Sequence, residues 1–135
     1  MSMTIISITA GLLGLLYAYL GFRVSVMRVR QKISQGDGGN AVLGQAIRAH
    51  ANFVEYVPFT LVLLLTAAAL RANVWLIAIG CLLLIVHRIL HAIGMRAKNA
   101  ISPFRRWGAL LAYATLAYAS LVCLFYGLWF LRYSV

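Results

Sequence analysis

A chain of 135 residues that is 64% hydrophobic and only 10% charged cannot be a soluble domain, whose surface alone would demand far more charge. Lipid has to solvate it. A net charge of +10, from twelve Lys and Arg against two acids, would elsewhere suggest nucleic acid, but these basic residues flank apolar stretches and no nucleic-acid partner is expected.

A bilayer core takes roughly 20 apolar residues per helix, and four stretches qualify: residues 3–22, 43–70, 74–95 and 107–131. The expected fold is an all-α, four-transmembrane-helix bundle forming one domain over residues 1–135. The first stretch lacks a basic leader and a persuasive small-residue cleavage site, so it reads as a retained helix rather than a signal peptide. Residues 23–40 follow as a polar break carrying Arg23, Arg28, Arg30 and Lys32, and close on the turn-rich run Gly36-Asp37-Gly38-Gly39-Asn40. The second break, residues 71–73, is short enough to make a tight helical hairpin. The third, residues 96–106, holds Arg96, Lys98, Arg105 and Arg106, with Pro103 placed where it can open the fourth helix.

Basic residues thus crowd the first and third connections. The positive-inside rule puts those two connections in the cytoplasm and both termini on the other side, with Arg132 the exception. Trp75, Trp107 and Trp129 near the span ends suit interfacial anchors. Gly11 and Gly14 in helix one, and Ala109, Ala112, Ala114, Ala117 and Ala119 in helix four, would let backbones approach closely, within the bundle or at a subunit interface. Cys81 and Cys123 lie in apolar runs without metal-ligand spacing, so they read as packing residues and no metal site is expected.

The second helix carries the chemistry. Gln45, Arg48, Asn52 and Glu55 are three, four and three residues apart, which at about 100° per residue confines them to an arc of roughly 80°. Each ionised side chain at mid-membrane costs about 2.5 to 3.5 kcal/mol on translocon scales. The stripe should therefore face the bundle interior or a subunit interface. His87, Arg88 and His91 in helix three offer partners. A purely structural account is an internal salt bridge of Arg48 or Arg88 with Glu55. One carboxylate cannot neutralise Arg28, Arg48, Arg88 and Arg105 together, however, and the surplus of guanidinium groups asks for an anionic ligand. Glu55 offers the complementary place for an ammonium group, so a small zwitterion with excess carboxylate fits.

The run Arg48-Ala-His50-Ala-Asn52-Phe-Val-Glu55-Tyr56-Val-Pro58 resembles the signature of the MAPEG family, the membrane-associated proteins of eicosanoid and glutathione metabolism. Gly36-Asp37-Gly38-Gly39-Asn40 is similar to the bacterial members, and Arg88-Ile-Leu-His91-Ala-Ile-Gly94 to the family's second motif. The resemblance implies a homotrimer in a bacterial inner membrane, with glutathione held between neighbouring subunits at the cytoplasmic side. It implies that Arg48, Asn52 and Glu55 hold the glutathione backbone and its charged groups, that His50 and Tyr56 line the same pocket, and that Arg28, Arg88 and His91 add contacts. Arg105, or its neighbour Arg106, would sit by the thiol. A guanidinium there favours the thiolate, which attacks a lipophilic electrophile or a peroxide arriving from the bilayer. The activity implied is that of a glutathione S-transferase or peroxidase.

Several catalytic relatives have a tyrosine where this chain has Met95, and some have a tyrosine where it has His91. The alternative is therefore a member that binds glutathione or another small anion without turning it over. A small four-helix multidrug exporter shares the length and a lone membrane glutamate, but that family carries it in the first helix without the Arg and Asn companions.

Overall fold

The structure, a computed structural model, describes residues 1–95 and 102–133. Arg96 and Lys98 of the third connection lie outside them. Four helices follow one another: α1 (Ser2–Gln31), α2 (Ala41–Ala69), α3 (Val74–Gly94) and α4 (Pro103–Tyr133). Each is long and apolar enough to cross a membrane, and together they make an integral membrane protein.

The first helix runs well past the apolar stretch expected at residues 3–22. Residues 23–31 contain no glycine or proline, so nothing interrupts the backbone hydrogen bonding when the chain leaves its apolar segment, and Arg23, Arg28 and Arg30 become helical. The helix stops only where Lys32 enters the left-handed region at φ 55°. There the Lys32 N–H donates to the Val29 carbonyl and the Ile33 N–H to the Arg28 carbonyl, a Schellman closure with lysine in the place glycine usually takes. The second helix ends the same way on Arg71, φ 61°, with Arg71 N–H on Ala68 and Ala72 N–H on Ala67. Pro103 is the first residue of α4, which brings Arg105 and Arg106 into that helix's first turn, ahead of the expected apolar start at 107.

Asparagines open the two middle helices. Asn40 Oδ1 accepts from the Val42 and Leu43 N–H groups at 3.0 Å each, and Asn73 Oδ1 accepts from Trp75 N–H at 2.9 Å. Asn73 N–H also donates to the Tyr126 hydroxyl at 2.9 Å, tying the hairpin to α4.

Packing is uneven around the bundle. The α2 and α3 helices form its middle, α1 rests on both from one side and α4 on both from the other, and among the described residues α1 and α4 do not pack on each other. One apolar cluster, with Leu64, Ile77, Cys81 and Ala119, fills the end near the α2–α3 hairpin. A second, with Leu20, Ala49, Phe53, Leu84 and Met95, fills the opposite half. Ile8, Leu12, Leu15, Leu121, Leu124 and Leu128 stand exposed, as lipid-facing side chains should.

The closest backbone approaches are not at Gly11 and Gly14, where an added Cβ would meet nothing within 4 Å. They are at Gly94 and Gly108. A Cβ on Gly94 would run into the Arg105 backbone, and one on Gly108 would lie 2.7 Å from the His91 backbone nitrogen. Of the helix-four alanines, Ala112 and Ala119 are buried, whereas Ala114 and Ala117 remain exposed. Intrachain packing therefore uses only part of the small-residue inventory.

Candidate functional site

The end of the bundle that carries the last turn of α1 and the first turns of α2 and α4 holds a polar cavity of about 580 Å³. Arg28 of α1, Arg48 of α2 and Arg105 of α4 all line it, together with Asp37, Gln45 and Met95. Three helices thus deliver three guanidinium groups to one space that a single carboxylate shares.

Each arginine is placed by a local feature. Arg28 sits beside the Schellman closure, and its Nη1 donates to the Ser34 carbonyl at 3.0 Å, which holds the side chain across the connection. Arg105 is carried by the glycine-mediated contact of α3 and α4. The connection folds back over the start of α2 because Gly38 and Gly39 adopt φ 57° and 77°, and a Cβ on Gly38 would press within 2.7 Å of Ile33. Asp37 Oδ1 accepts the Gly39 N–H at 3.0 Å, and the other carboxylate oxygen lies against Gly44, where a Cβ would come within 2.8 Å of it.

One turn further along α2, the polar stripe changes partners. Asn52 meets Arg88, whose Nη1 donates to the Asn52 carbonyl at 2.9 Å and to its Oδ1 at 3.1 Å. Arg88 Nε donates to His87 Nδ1 at 2.8 Å, and the guanidinium lies 5.7 Å from the centre of the Tyr56 ring. Tyr56 in turn donates its hydroxyl to that of Tyr113 on α4 at 3.1 Å, ring edge to ring face. Arg88 is only 2% exposed and His87 fully buried, and Arg88 Nη2 and His87 Nε2 have no hydrogen-bond partner among the described residues. A desolvated guanidinium is therefore held by neutral groups.

The internal salt bridge that sequence reasoning considered does not form. Arg88 binds Asn52 and His87, and among the described residues Glu55 makes no ion pair; its carboxylate stands exposed on the outer side of α2, as does Arg48. The stripe is thus divided. Gln45 and Arg48 reach the basic cavity, Asn52 turns inward, and Glu55 turns out.

Asn52, Glu55, Tyr56 and Arg88 do not line the cavity, and two further expected residues, His50 and His91, lie apart from it as well. His50 stacks on Tyr17 of α1 with centroids 4.7 Å apart, close above Gly21, where a Cβ would lie 3.3 Å from its Nε2. His91 is buried, with its backbone against Gly108. Sequence reasoning passed over Tyr113, and offered His87 only as one of three helix-three partners for the stripe. Nothing marks Tyr113 in an aromatic-rich helix, but a histidine directly before a membrane arginine is a signal that could have been used for His87.

Four membrane-crossing helices with an arginine-lined polar cavity at one end define a class of small integral membrane bundle. The chain belongs to the MAPEG family, whose profile matches residues 6–125. Its relatives include the inner membrane protein YecN of Escherichia coli strain K12, 32% identical over 126 residues that span 93% of this chain and 95% of that one. YecN of Escherichia coli O6:H1 strain CFT073 aligns with the same identity and coverage. No solved structure matches the chain significantly.

Proposed function

We propose that this protein binds glutathione in the basic cavity, at a boundary between subunits of a homotrimer in the bacterial inner membrane, and conjugates or oxidises its thiol with lipophilic substrates. The observation that carries the reading is the convergence of Arg28, Arg48 and Arg105 on one cavity whose lining, among the described residues, carries one carboxylate, Asp37. Its volume lies in the range of small-molecule sites, roughly 300–1,000 Å³. Guanidinium forks bind carboxylates through paired hydrogen bonds, and glutathione carries two carboxylates with one ammonium group.

In this reading Arg48 and Arg28 take the carboxylates. Asn52 and Glu55, which do not line the cavity of the single subunit, bind the amide backbone and the ammonium group where a neighbouring subunit extends the site, with Tyr56 beside them. Arg88 and His91 support this arrangement from α3, and His50, stacked on Tyr17, holds α1 in the position that aims Arg28. Bound glutathione supplies a thiol that is nucleophilic as the thiolate. Arg105 stabilises the negative charge at the sulfur and so raises the thiolate fraction at neutral pH. The exposed Glu55 and Arg48 need cover from another subunit, because lipid would charge about 2.5 to 3.5 kcal/mol for an ionised side chain at mid-span. Membership of the family supports glutathione as the ligand, and the basic residues at the cavity end support a cytoplasmic position for it, with both termini on the opposite side.

The test is conjugation of glutathione to a chloronitrobenzene by the purified, detergent-solubilised protein. The reading expects turnover, a loss of about 100-fold in Arg105→Ala, and a smaller loss in Arg106→Ala. Binding without any turnover of electrophiles or lipid hydroperoxides would favour the second reading, a non-catalytic glutathione-binding member. That reading draws on Met95, which lines the cavity and can donate no hydrogen bond to a substrate.

A further inference from the structure

His87 belongs to none of the groups that reach the cavity, yet it is fully buried in the bundle and bonded to a buried arginine. We infer that His87 is a positioning residue, which fixes the Arg88 guanidinium so that Arg88 in turn orients the Asn52 amide toward the ligand. The inference rests on the glutathione-binding reading and adds to it a residue and a chain of contacts.

Arginine has only donors, so any group within hydrogen-bond distance of its Nε must accept. His87 Nδ1, 2.8 Å away, is that acceptor, which puts the imidazole proton on Nε2 and leaves the ring neutral. The guanidinium is planar, so engaging Nε fixes the direction of both terminal nitrogens. Nη1 is thereby aimed at α2, where it meets the Asn52 carbonyl and Oδ1.

With Oδ1 occupied by Arg88, the Asn52 side chain turns its NH₂ away from Arg88 and offers it as a donor.

The experiment separates this role from simple packing by choosing which imidazole nitrogen is mimicked. Asparagine can place its Oδ1 near the position of Nδ1 and preserve the acceptor for Arg88 Nε. Glutamine extends its amide toward the Nε2 position and does not. Calorimetric titration of glutathione into detergent-solubilised wild type, His87→Asn, His87→Gln and His87→Leu, each checked by elution profile and helical circular dichroism, should give affinity within about threefold of wild type for asparagine. It should give losses of about tenfold or more for glutamine and leucine, the scale of a charge-assisted hydrogen bond. In the Asn52→Ala background, His87→Gln should cost little further, because the two residues act in one chain of contacts. Wild-type affinity in His87→Gln, equal losses in His87→Asn and His87→Gln, or additive losses with Asn52→Ala would each overturn the inference while leaving the glutathione reading standing. A wild type that binds no glutathione would remove both.

Discussion

At the scale of single residues, the polar groups of this bundle differ most in what surrounds them. Arg88 is desolvated and relies on Asn52 and His87, whereas Arg48 and Glu55 on the neighbouring helix are exposed. Asn52→Ala removes one of the two acceptors for Nη1 and leaves a buried cation short of partners. It should lower thermal stability in detergent by about 1 to 3 kcal/mol and weaken glutathione binding in the same variant. Arg48→Ala, by contrast, should weaken binding with little effect on the melting temperature of the isolated subunit fold, since that side chain is exposed. The sequence spacing placed Asn52 and Arg88 in facing helices, but helical period constrains only which face a residue takes. It does not say that the arginine would prefer an amide to the nearby carboxylate, so an internal salt bridge of Arg88 with Glu55 was compatible with the spacing.

At the scale of the helices, the spans were readable because lipid leaves a chain no choice: long apolar runs must be helices with their backbone bonds satisfied internally. The lengths were less readable. The apolar run of α1 ends near residue 22, but the helix ends where the backbone reverses at Lys32, and Lys32 has no side-chain feature that announces a left-handed conformation. Two predictions belong here. Asn40→Ala, which loses both capping bonds at the start of α2, should cost about 1 kcal/mol, read as a fall in melting temperature. Gly108→Val should cost at least about 1 to 3 kcal/mol and displace Arg105, because its Cβ meets the His91 backbone; Gly11→Ala, with open space around it, should leave the melting temperature unchanged or slightly raised. Glycine spacing alone had favoured Gly11 and Gly14 as close-contact sites. Inside the chain the close glycine-to-backbone contacts are at Gly94 and Gly108, where α3 and α4 lie against each other.

At the scale of the whole molecule, four helices with exposed leucines on α1 and α4 also carry an exposed glutamate and an exposed arginine on α2. Lipid cannot cover both kinds of surface. The α2 face is therefore the one expected to meet other copies of the chain, and native mass spectrometry from detergent should find a trimer rather than a monomer. Dilution or Glu55→Lys, which places like charges along that face, should shift it toward smaller species. The central claim, that the arginine-lined cavity is a glutathione site, is tested most directly by titrating glutathione into the purified protein by calorimetry, beside folded Arg48→Ala and Glu55→Ala variants. The account predicts saturable binding in the wild type, weakened about tenfold or more in each variant. Absence of binding in a folded, oligomeric wild type, or undiminished binding in both variants, would contradict it.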